Sequence, residues 1–237
     1  MCDARAFFFD LDDTLVDFGK ARRKALIALA GRLAARIPNQ SPDQLRELRS
    51  RIVEDRTRRG TDIPQVGDFR VTRIRIWNEV LAFIGAPGLA DPGQLTDDHD
   101  LLTRQNLELY PDADASIRWA NERFQVTGII TNGPSDVQWG EVYAVGLEDR
   151  VDRVIVAGDI DAFKPDPRIF EAALEGLGIP PQAAVFIGNS AAHDAAGAIQ
   201  AGWTAIWLNR DGDTYPPTLP PPTATVTGLD EVPALFG

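Results

Sequence analysis

The sequence contains little cysteine, histidine or basic charge, and these shortages exclude several classes of protein. The one cysteine, Cys2, has no partner for an internal disulfide, so a disulfide framework is excluded. Acidic residues outnumber basic ones by 35 to 24 over 237 residues, and the net charge is -11. This composition leaves no broad basic face for a nucleic-acid backbone.

Long hydrophobic runs are also missing. No stretch approaches the roughly 18 apolar residues that span a bilayer, and the N-terminus does not follow the pattern of a secretory signal. We therefore expect a soluble, cytoplasmic protein whose partner is neither a membrane nor a nucleic acid. Hydrophobic residues make up 44% of the chain, enough to fill a large domain or a core with a smaller module.

Short apolar runs alternate with helical patterns along most of the chain. A helix is predicted after Pro167, because apolar residues recur there at three- and four-residue steps as far as Leu177, with Asp166 as its N-cap and Gly178 beyond its end. A proline-rich loop at 215–222 is expected to precede a last short strand and helix. Strands that alternate with helices predict an α/β fold with a doubly wound, mostly parallel sheet. The predicted strands are residues 6–9, 126–130, 154–157, 184–187 and 204–208.

The segment 16–107 shows no convincing strand pattern and is predicted to be helical. We therefore expect an α/β core from 1–15 and 108–237, with 16–107 inserted as a helical cap. The apolar stripes of the predicted cap helices are Leu26, Leu29, Leu33 and Ile37; Leu45, Leu48 and Ile52, after a start at Ser41 and Pro42; and Ile74, Trp77, Leu81 and Ile84.

Three acids follow the first predicted strand directly, in the order Asp10, Asp12 and Asp13, with Thr14 next. Acids at the end of a buried strand are costly unless a cation or a proton offsets their charge. In open α/β sheets, ligands bind at the carboxyl ends of the strands. An acidic turn remains an alternative, and the further positions of a calcium loop are missing.

Two later segments carry polar groups after predicted strands. Thr131, Asn132 and Gly133 offer a hydroxyl, an amide and backbone N–H groups that can bind an oxyanion. Lys164 precedes Pro165, which restricts its backbone to extended conformations and holds the lysine at a fixed point. Taken alone, the first is an ordinary polar turn and the second an ordinary solvated lysine.

The predicted strand at 184–187 is followed by Gly188, Asn189 and, at the start of the next helix, Asp194. Ser190 and His193 lie between them, but a serine hydrolase would need a glycine-flanked elbow, and neighbours in sequence do not form a triad. His193 is therefore interpreted as a helix-start residue.

Together, the motifs DxDxT, T-N-G, K-P and a variant of G-D-x4-D occur in the order in which the haloacid dehalogenase-like (HAD-like) phosphohydrolases carry them. The chain resembles this superfamily over nearly its whole length. The resemblance implies a Rossmann-like core with an inserted cap, and a hydrolase that acts on a small phosphate ester with Mg2+ as cofactor.

The resemblance also implies roles for individual residues. Asp10 attacks phosphorus to form an aspartyl-phosphate, and Asp12 first protonates the leaving oxygen and then activates water. Thr131, the Asn132 backbone and Lys164 hold the phosphoryl oxygens. Substrate binding is assigned to Thr14, Asn132 and Gly133, and metal binding to Asp10, Asp12, Asn189 and Asp194.

Asn189 departs from the family pattern, which often has aspartate at this position. Its amide oxygen can still reach a metal, but the lost negative charge predicts weaker magnesium binding.

Asp12 favours a phosphatase over a haloacid dehalogenase, because the dehalogenases generally lack an acid there and need no metal. A phosphotransferase or mutase, a receiver-like regulator and a catalytically silent binding protein remain alternatives.

The substrate itself is not specified by the sequence, and neither is the oligomeric state. Basic residues of the predicted cap could contact an anionic leaving group, or they could lie on solvated helix faces. These residues are Arg22, Arg23, Arg56, Arg58 and Arg59.

Overall fold

The computed structural model describes residues 3–37, 40–59 and 69–237. They divide into two compact units. One unit consists of the chain up to Asp17 together with Glu108–Gly237, and the other of Phe18–Leu107. That the second unit acts as a cap stays a prediction.

The first unit is built on a six-stranded sheet. Its strands are β1 Ala6–Phe9, β2 Val126–Thr131, β3 Arg153–Val156, β4 Ala184–Gly188, β5 Thr204–Leu208 and β6 Ala224–Val226. Their order in the sheet is β3-β2-β1-β4-β5-β6, and the predicted last short strand is present as β6. Every pair of adjacent strands is parallel, which confirms the predicted α/β fold with a doubly wound sheet.

Helices connect the strands of this unit. The α-helices are α5 Ala113–Arg123, α6 Ser135–Ala144, α7 Ala157–Ile160, α8 Pro167–Leu174 and α9 Ala196–Gln200. A π-helix at Ala191–Ala195 precedes α9, and 3-10 helices lie at Pro181–Ala183 and Leu229–Phe236.

Helix α8 begins as predicted, because the Asp166 side chain accepts a hydrogen bond from the backbone N–H of Arg168 at 2.9 Å. It ends at Leu174, earlier than the apolar pattern indicated. Gly176 has a φ of 74°, a conformation that suits glycine and ends the helix. Leu177 therefore lies beyond the helix, although its side chain still packs against the core.

Strand β1 is central and buried on both faces. Its phenylalanines alternate between the two faces, as the period of a strand requires. Phe7 lies 5.7 Å from the ring of Trp119, whereas Phe8 lies 5.4 Å from the ring of Trp203. Since β1 pairs with β2 on one side and β4 on the other, its carboxyl end lies where the strand order reverses.

In the described part of the second unit, the secondary structure is helical, and its apolar core is formed largely by the predicted stripes. Ile37 lies after the first helix rather than on it, and Ile84 just after the third. The helices are α1 Phe18–Ala34, α2 Pro42–Arg58, α3 Phe69–Phe83 and α4 Pro92–Gln105. In neither unit is a described helix both long and apolar enough to cross a membrane.

Candidate active site

Asp10 follows the central strand β1 and is buried, with 6% of its surface exposed. Its backbone N–H continues the pairing with β4 by donating to the carbonyl of Ile187 at 2.8 Å. The Asp10 carboxylate accepts hydrogen bonds from Thr14 Oγ1 at 3.0 Å and from Lys164 Nζ at 2.6 Å. Burial raises the pKa of Asp10 to about 6, although Lys164 acts to lower it.

Lys164 places a buried ammonium group between two carboxylates. Its Nζ lies 2.6 Å from Asp10 Oδ1 and 2.8 Å from Asp194 Oδ1, and it also donates to the Ile130 carbonyl at 2.9 Å. Burial disfavours the charge, but the two carboxylates outweigh it, and the pKa of Lys164 is raised above its ordinary value. The lysine therefore stays cationic and connects β2 with the residue after β1 and with the π-helix after β4.

Asn132 positions Lys164 through its side chain. The amide Oδ1 accepts from the Lys164 backbone N–H at 2.8 Å, and the amide Nδ2 donates to the Lys164 carbonyl at 2.9 Å. The next residue, Gly133, has a φ of 153°, and a Cβ there would lie 2.7 Å from Gln138 Cγ. The turn after β2 thus requires glycine at this position.

Thr131 and Asp12 are joined by a residue that the sequence analysis did not identify. Gln138, on α6, accepts a hydrogen bond from Thr131 Oγ1 and donates from Nε2 towards Asp12 Oδ2 at 3.4 Å. The same Nε2 donates to Glu141 Oε2 at 3.0 Å. The Thr131 hydroxyl, predicted to face a phosphoryl oxygen, is therefore engaged with Gln138 in this structure.

Glu141 is the second residue that the sequence analysis missed, and it is 1% exposed. Burial raises the pKa of Asp12 well above its ordinary value, and the Glu141 carboxylate raises it further. A protonated Asp12 can donate a proton at neutral pH. Gln138 and Glu141 are polar at positions i and i+3 of α6, and this is the signal that could have marked them.

Thr14 connects the first motif to the fourth. Its Oγ1 donates to Asp10 and accepts from the Asn189 backbone N–H at 3.2 Å. The Asn189 carbonyl accepts from Trp207 Nε1 at 2.8 Å, so the Asn189 backbone is held at both ends while the residue as a whole is exposed.

Asp194 lies at the fourth motif and is 2% exposed. Its Oδ2 accepts from the Ser190 backbone N–H at 2.7 Å. A Cβ on Gly188 would lie 2.7 Å from the Cβ of Asp194, so glycine allows this carboxylate to approach the strand end. Ser190 and His193 form a local helix cap, in which Ser190 Oγ accepts from the His193 backbone N–H. This agrees with the helix-start interpretation of His193.

The oxygen donors around Lys164 suit the implied magnesium ion. In the parts of the chain that the structure describes, no three His, Cys, Asp or Glu side chains are arranged to hold a metal by themselves. Mg2+ is, however, commonly bound through one or two carboxylates, with water and substrate phosphate as further ligands. Asp10 and Asp194 both contact the Lys164 ammonium, so two carboxylates converge on one point. This donor set fits a hard divalent cation.

The arginines proposed as substrate contacts lie in the helical unit. Arg22, Arg23, Arg58 and Arg59 are exposed. Arg56 forms an ion pair with Glu79, and Arg59 forms one with Asp55 at 2.8 Å. Their role towards a substrate stays a prediction.

Two curated phosphatases are similar to this chain. A glyceraldehyde 3-phosphate phosphatase of Methanothermobacter thermautotrophicus is 28% identical over 215 residues, which cover 87% of this chain and 86% of that protein. A phosphoserine phosphatase of Thermus thermophilus is 35% identical over 107 residues, but these cover only 45% of this chain and 43% of that protein.

Solved structures with the same fold cover nearly the whole chain. The magnesium-bound HAD-hydrolase YfnB of Bacillus subtilis has a TM-score of 0.79 at 22% identity, over 99% of both chains. A 2-haloacid dehalogenase of Pseudomonas syringae pv. Tomato DC3000 has a TM-score of 0.69 at 28% identity, over 98% of both chains.

A family model of a haloacid dehalogenase-like hydrolase matches residues 4–202, a range that includes the ends of all four motif-bearing segments. The match agrees with the sheet order and with the convergence of these segments on Lys164. The chain belongs to the haloacid dehalogenase-like hydrolase family.

Proposed function

We propose that this protein is a magnesium-dependent hydrolase of small phosphate monoesters, with Asp10 as its nucleophile. The observation that carries the proposal is the contact of the buried Lys164 ammonium with the carboxylates of both Asp10 and Asp194. A buried lysine between two strand-end carboxylates is a fixed positive charge beside a nucleophile, as displacement at an anionic phosphate requires.

Asp10 performs the first displacement. Lys164 and Thr14 hold the two oxygens of its carboxylate, and this fixes the orientation of the nucleophile. One of these oxygens attacks phosphorus, the bond to the leaving oxygen breaks, and an aspartyl-phosphate forms. The raised pKa of Asp10, about 6, still leaves the carboxylate mostly ionised at neutral pH.

Asp12 transfers the proton. Its raised pKa favours the protonated form, so it can donate to the leaving oxygen. The resulting carboxylate then accepts a proton from the water that attacks the aspartyl-phosphate, which releases phosphate and regenerates Asp10. Gln138 contacts both Asp12 and Thr131 and holds these two side chains in place.

Magnesium would be held by the Asp10 and Asp194 side chains and the Asp12 carbonyl, with Asn189 as a further oxygen donor. When bound, it supplies positive charge that reduces the repulsion between the nucleophile and the phosphate. At about 4 Å and an effective dielectric of about 20, that repulsion amounts to roughly 4 kcal/mol. The HAD-hydrolase YfnB, which has the same fold, is bound to magnesium, and this supports the assignment.

A haloacid dehalogenase is the second candidate, favoured by the similarity to the 2-haloacid dehalogenase structure at 28% identity. Asp12 is the feature that decides against it, because displacement of halide needs no protonated acid. The two functions differ in their requirement for Asp12, and this difference can be measured.

Turnover of p-nitrophenyl phosphate tests the proposal. Wild-type protein should hydrolyse it with Mg2+ and lose activity with EDTA, and Asp10→Asn should lower kcat by about three orders of magnitude or more. Asp211→Asn, which changes an exposed aspartate, is the matched control and should retain activity.

Equal rates in wild type and Asp10→Asn would exclude Asp10 as the nucleophile. Chloride release from 2-chloropropionate without p-nitrophenyl phosphate turnover would identify a dehalogenase. A phosphoenzyme that forms but persists for minutes would identify a receiver-like regulator.

A further inference from the structure

The helical unit contains a second group of charged side chains, separate in sequence from the four motifs. Its members come from four helices: Arg22 from α1, Arg49 from α2, Arg73 from α3, and His99 and Asp100 from α4. Contacts or electrostatic interactions link them to one another. We call this group the arginine cluster.

Arg49 is the buried centre of the cluster. Its exposed fraction is 4%, and its Nε is buried without a hydrogen-bond partner in the described parts of the chain. The guanidinium carbon lies 5.2 Å from the centre of the Trp77 ring, a cation–π contact. Buried arginines in proteins are normally paired with an anion. Stacking on Trp77 leaves the hydrogen-bonding capacity of Nε unused.

The neighbours of Arg49 increase the positive charge around it. Burial, together with the charges of Arg22 and Arg73, lowers the pKa of Arg49 to about 10. Asp100 acts in the opposite direction but less strongly, and it is already engaged, because Arg73 Nη1 donates to its Oδ1 at 2.7 Å. The Nε of Arg73 is also buried, and within the described residues it too lacks a partner.

His99 experiences the same positive field. It is 5% exposed, and its Nε2 is buried with no partner in the structure as described. Burial lowers the pKa of His99, and the charges of Arg49 and Arg22 contribute to the decrease. Three buried nitrogen atoms of one cluster thus lack an acceptor or donor in the described structure.

We propose that the arginine cluster is a binding site for an oxyanion, a carboxylate or phosphate group of a small molecule. Guanidinium groups bind both kinds of group through paired, charge-assisted hydrogen bonds. An anion there would give the Nε atoms of Arg49 and Arg73 an acceptor and reduce the repulsion between the two guanidinium groups. Arg22 is exposed and the Arg73 side chain is 25% exposed, so a dissolved anion can approach the cluster from the side of these two arginines.

The oxyanion is a dissolved anion that binds the helical unit independently of catalysis. The site is therefore tested by equilibrium binding, which does not require turnover.

Calorimetric titration of the full-length protein with malonate, and separately with sulfate, measures binding to the cluster. Wild type should bind at least one of these anions saturably, and Arg49→Gln should bind it about tenfold or more weakly. Arg51→Gln removes the same charge from an exposed position of α2 and should bind like wild type. Equal affinity in wild type and Arg49→Gln, or no saturable binding of either anion to wild type, would overturn the proposal.

Arg49→Met separates a binding role from a purely structural one. Methionine retains the length of the side chain without its charge, so this variant should have a Tm roughly 2 to 4 °C above that of wild type in buffer free of multivalent anions. A lower Tm would identify Arg49 as a structural residue and contradict the proposal. If Arg49→Gln does not fold, Arg49→Lys replaces it in the titration; equal affinity in that variant also counts against the site.

Discussion

The side-chain amide of Asn132 bonds to both the backbone N–H and the backbone carbonyl of Lys164, at 2.8 and 2.9 Å. The two residues are 32 positions apart and follow different strands. The amide fixes the peptide from which the lysine reaches Asp10, so a residue expected to bind substrate also positions the Lys164 ammonium group.

Asn132→Asp should therefore impair catalysis more than it impairs folding. Aspartate retains the acceptor for the Lys164 N–H but places a carboxylate oxygen against the Lys164 carbonyl. Displacement of a catalytic group by about 1 Å can cost about a hundredfold in rate, and we expect a decrease in kcat of that order. Measurement of kcat and KM for p-nitrophenyl phosphate checks this, with Asn121→Asp, at an exposed site, as the control. An unchanged kcat would show that the two hydrogen bonds from the Asn132 side chain to the Lys164 backbone are dispensable.

Lys164→Met should destabilise the protein strongly at pH 7. It leaves the buried carboxylates of Asp10 and Asp194 facing each other without the ammonium group between them. Loss of one partner of a buried ion pair typically costs about 3 to 5 kcal/mol. Urea unfolding should show this decrease in the free energy of unfolding, and Mg2+ should restore part of it if both carboxylates bind the metal. The same loss with and without Mg2+ would argue against a metal at these two residues.

Asn189→Asp should tighten magnesium binding. The change adds a negative charge at an exposed position, and the backbone bonds of Asn189 to Thr14 and Trp207 do not involve its side chain. Calorimetric titration with Mg2+ should give a lower Kd for the variant than for wild type. A Kd that is equal or higher would refute the proposed role of Asn189.

Glu141→Gln should shift the pH dependence of activity. The Glu141 carboxylate raises the pKa of Asp12, so its neutralisation lowers that pKa. Asp12 must carry the proton that it donates, and activity is lost as pH rises through its pKa. The alkaline limb of the kcat/KM profile should therefore move to lower pH in the variant. Glu122→Gln changes an exposed glutamate and should leave the limb in place. A limb that does not move, or moves to higher pH, would contradict this role.

Local patterns in the sequence were sufficient for the strands and for the order of the motifs. The sequence predicts strand β1 with its observed bounds, because a short apolar run that ends in an acid is typical of a buried strand whose carboxyl end opens into a site. It predicts the end of α8 too late, since Leu177 continues the helical period although Gly176 interrupts the helix. Hydrophobic periodicity alone does not show where the backbone leaves the helical conformation.

The fold class, the α/β sheet and the positions of Asp10, Lys164 and Asp194 after separate strands follow from hydrophobic period and turn chemistry within a few residues. The placement of Gln138 and Glu141 beside Asp12, more than 120 positions away in sequence, and the burial of Arg49 within the helical unit depend instead on tertiary packing. A polar residue on a predicted helix has the same pattern whether it faces water or a site. Which of these it faces depends on how helices and strands distant in sequence pack together.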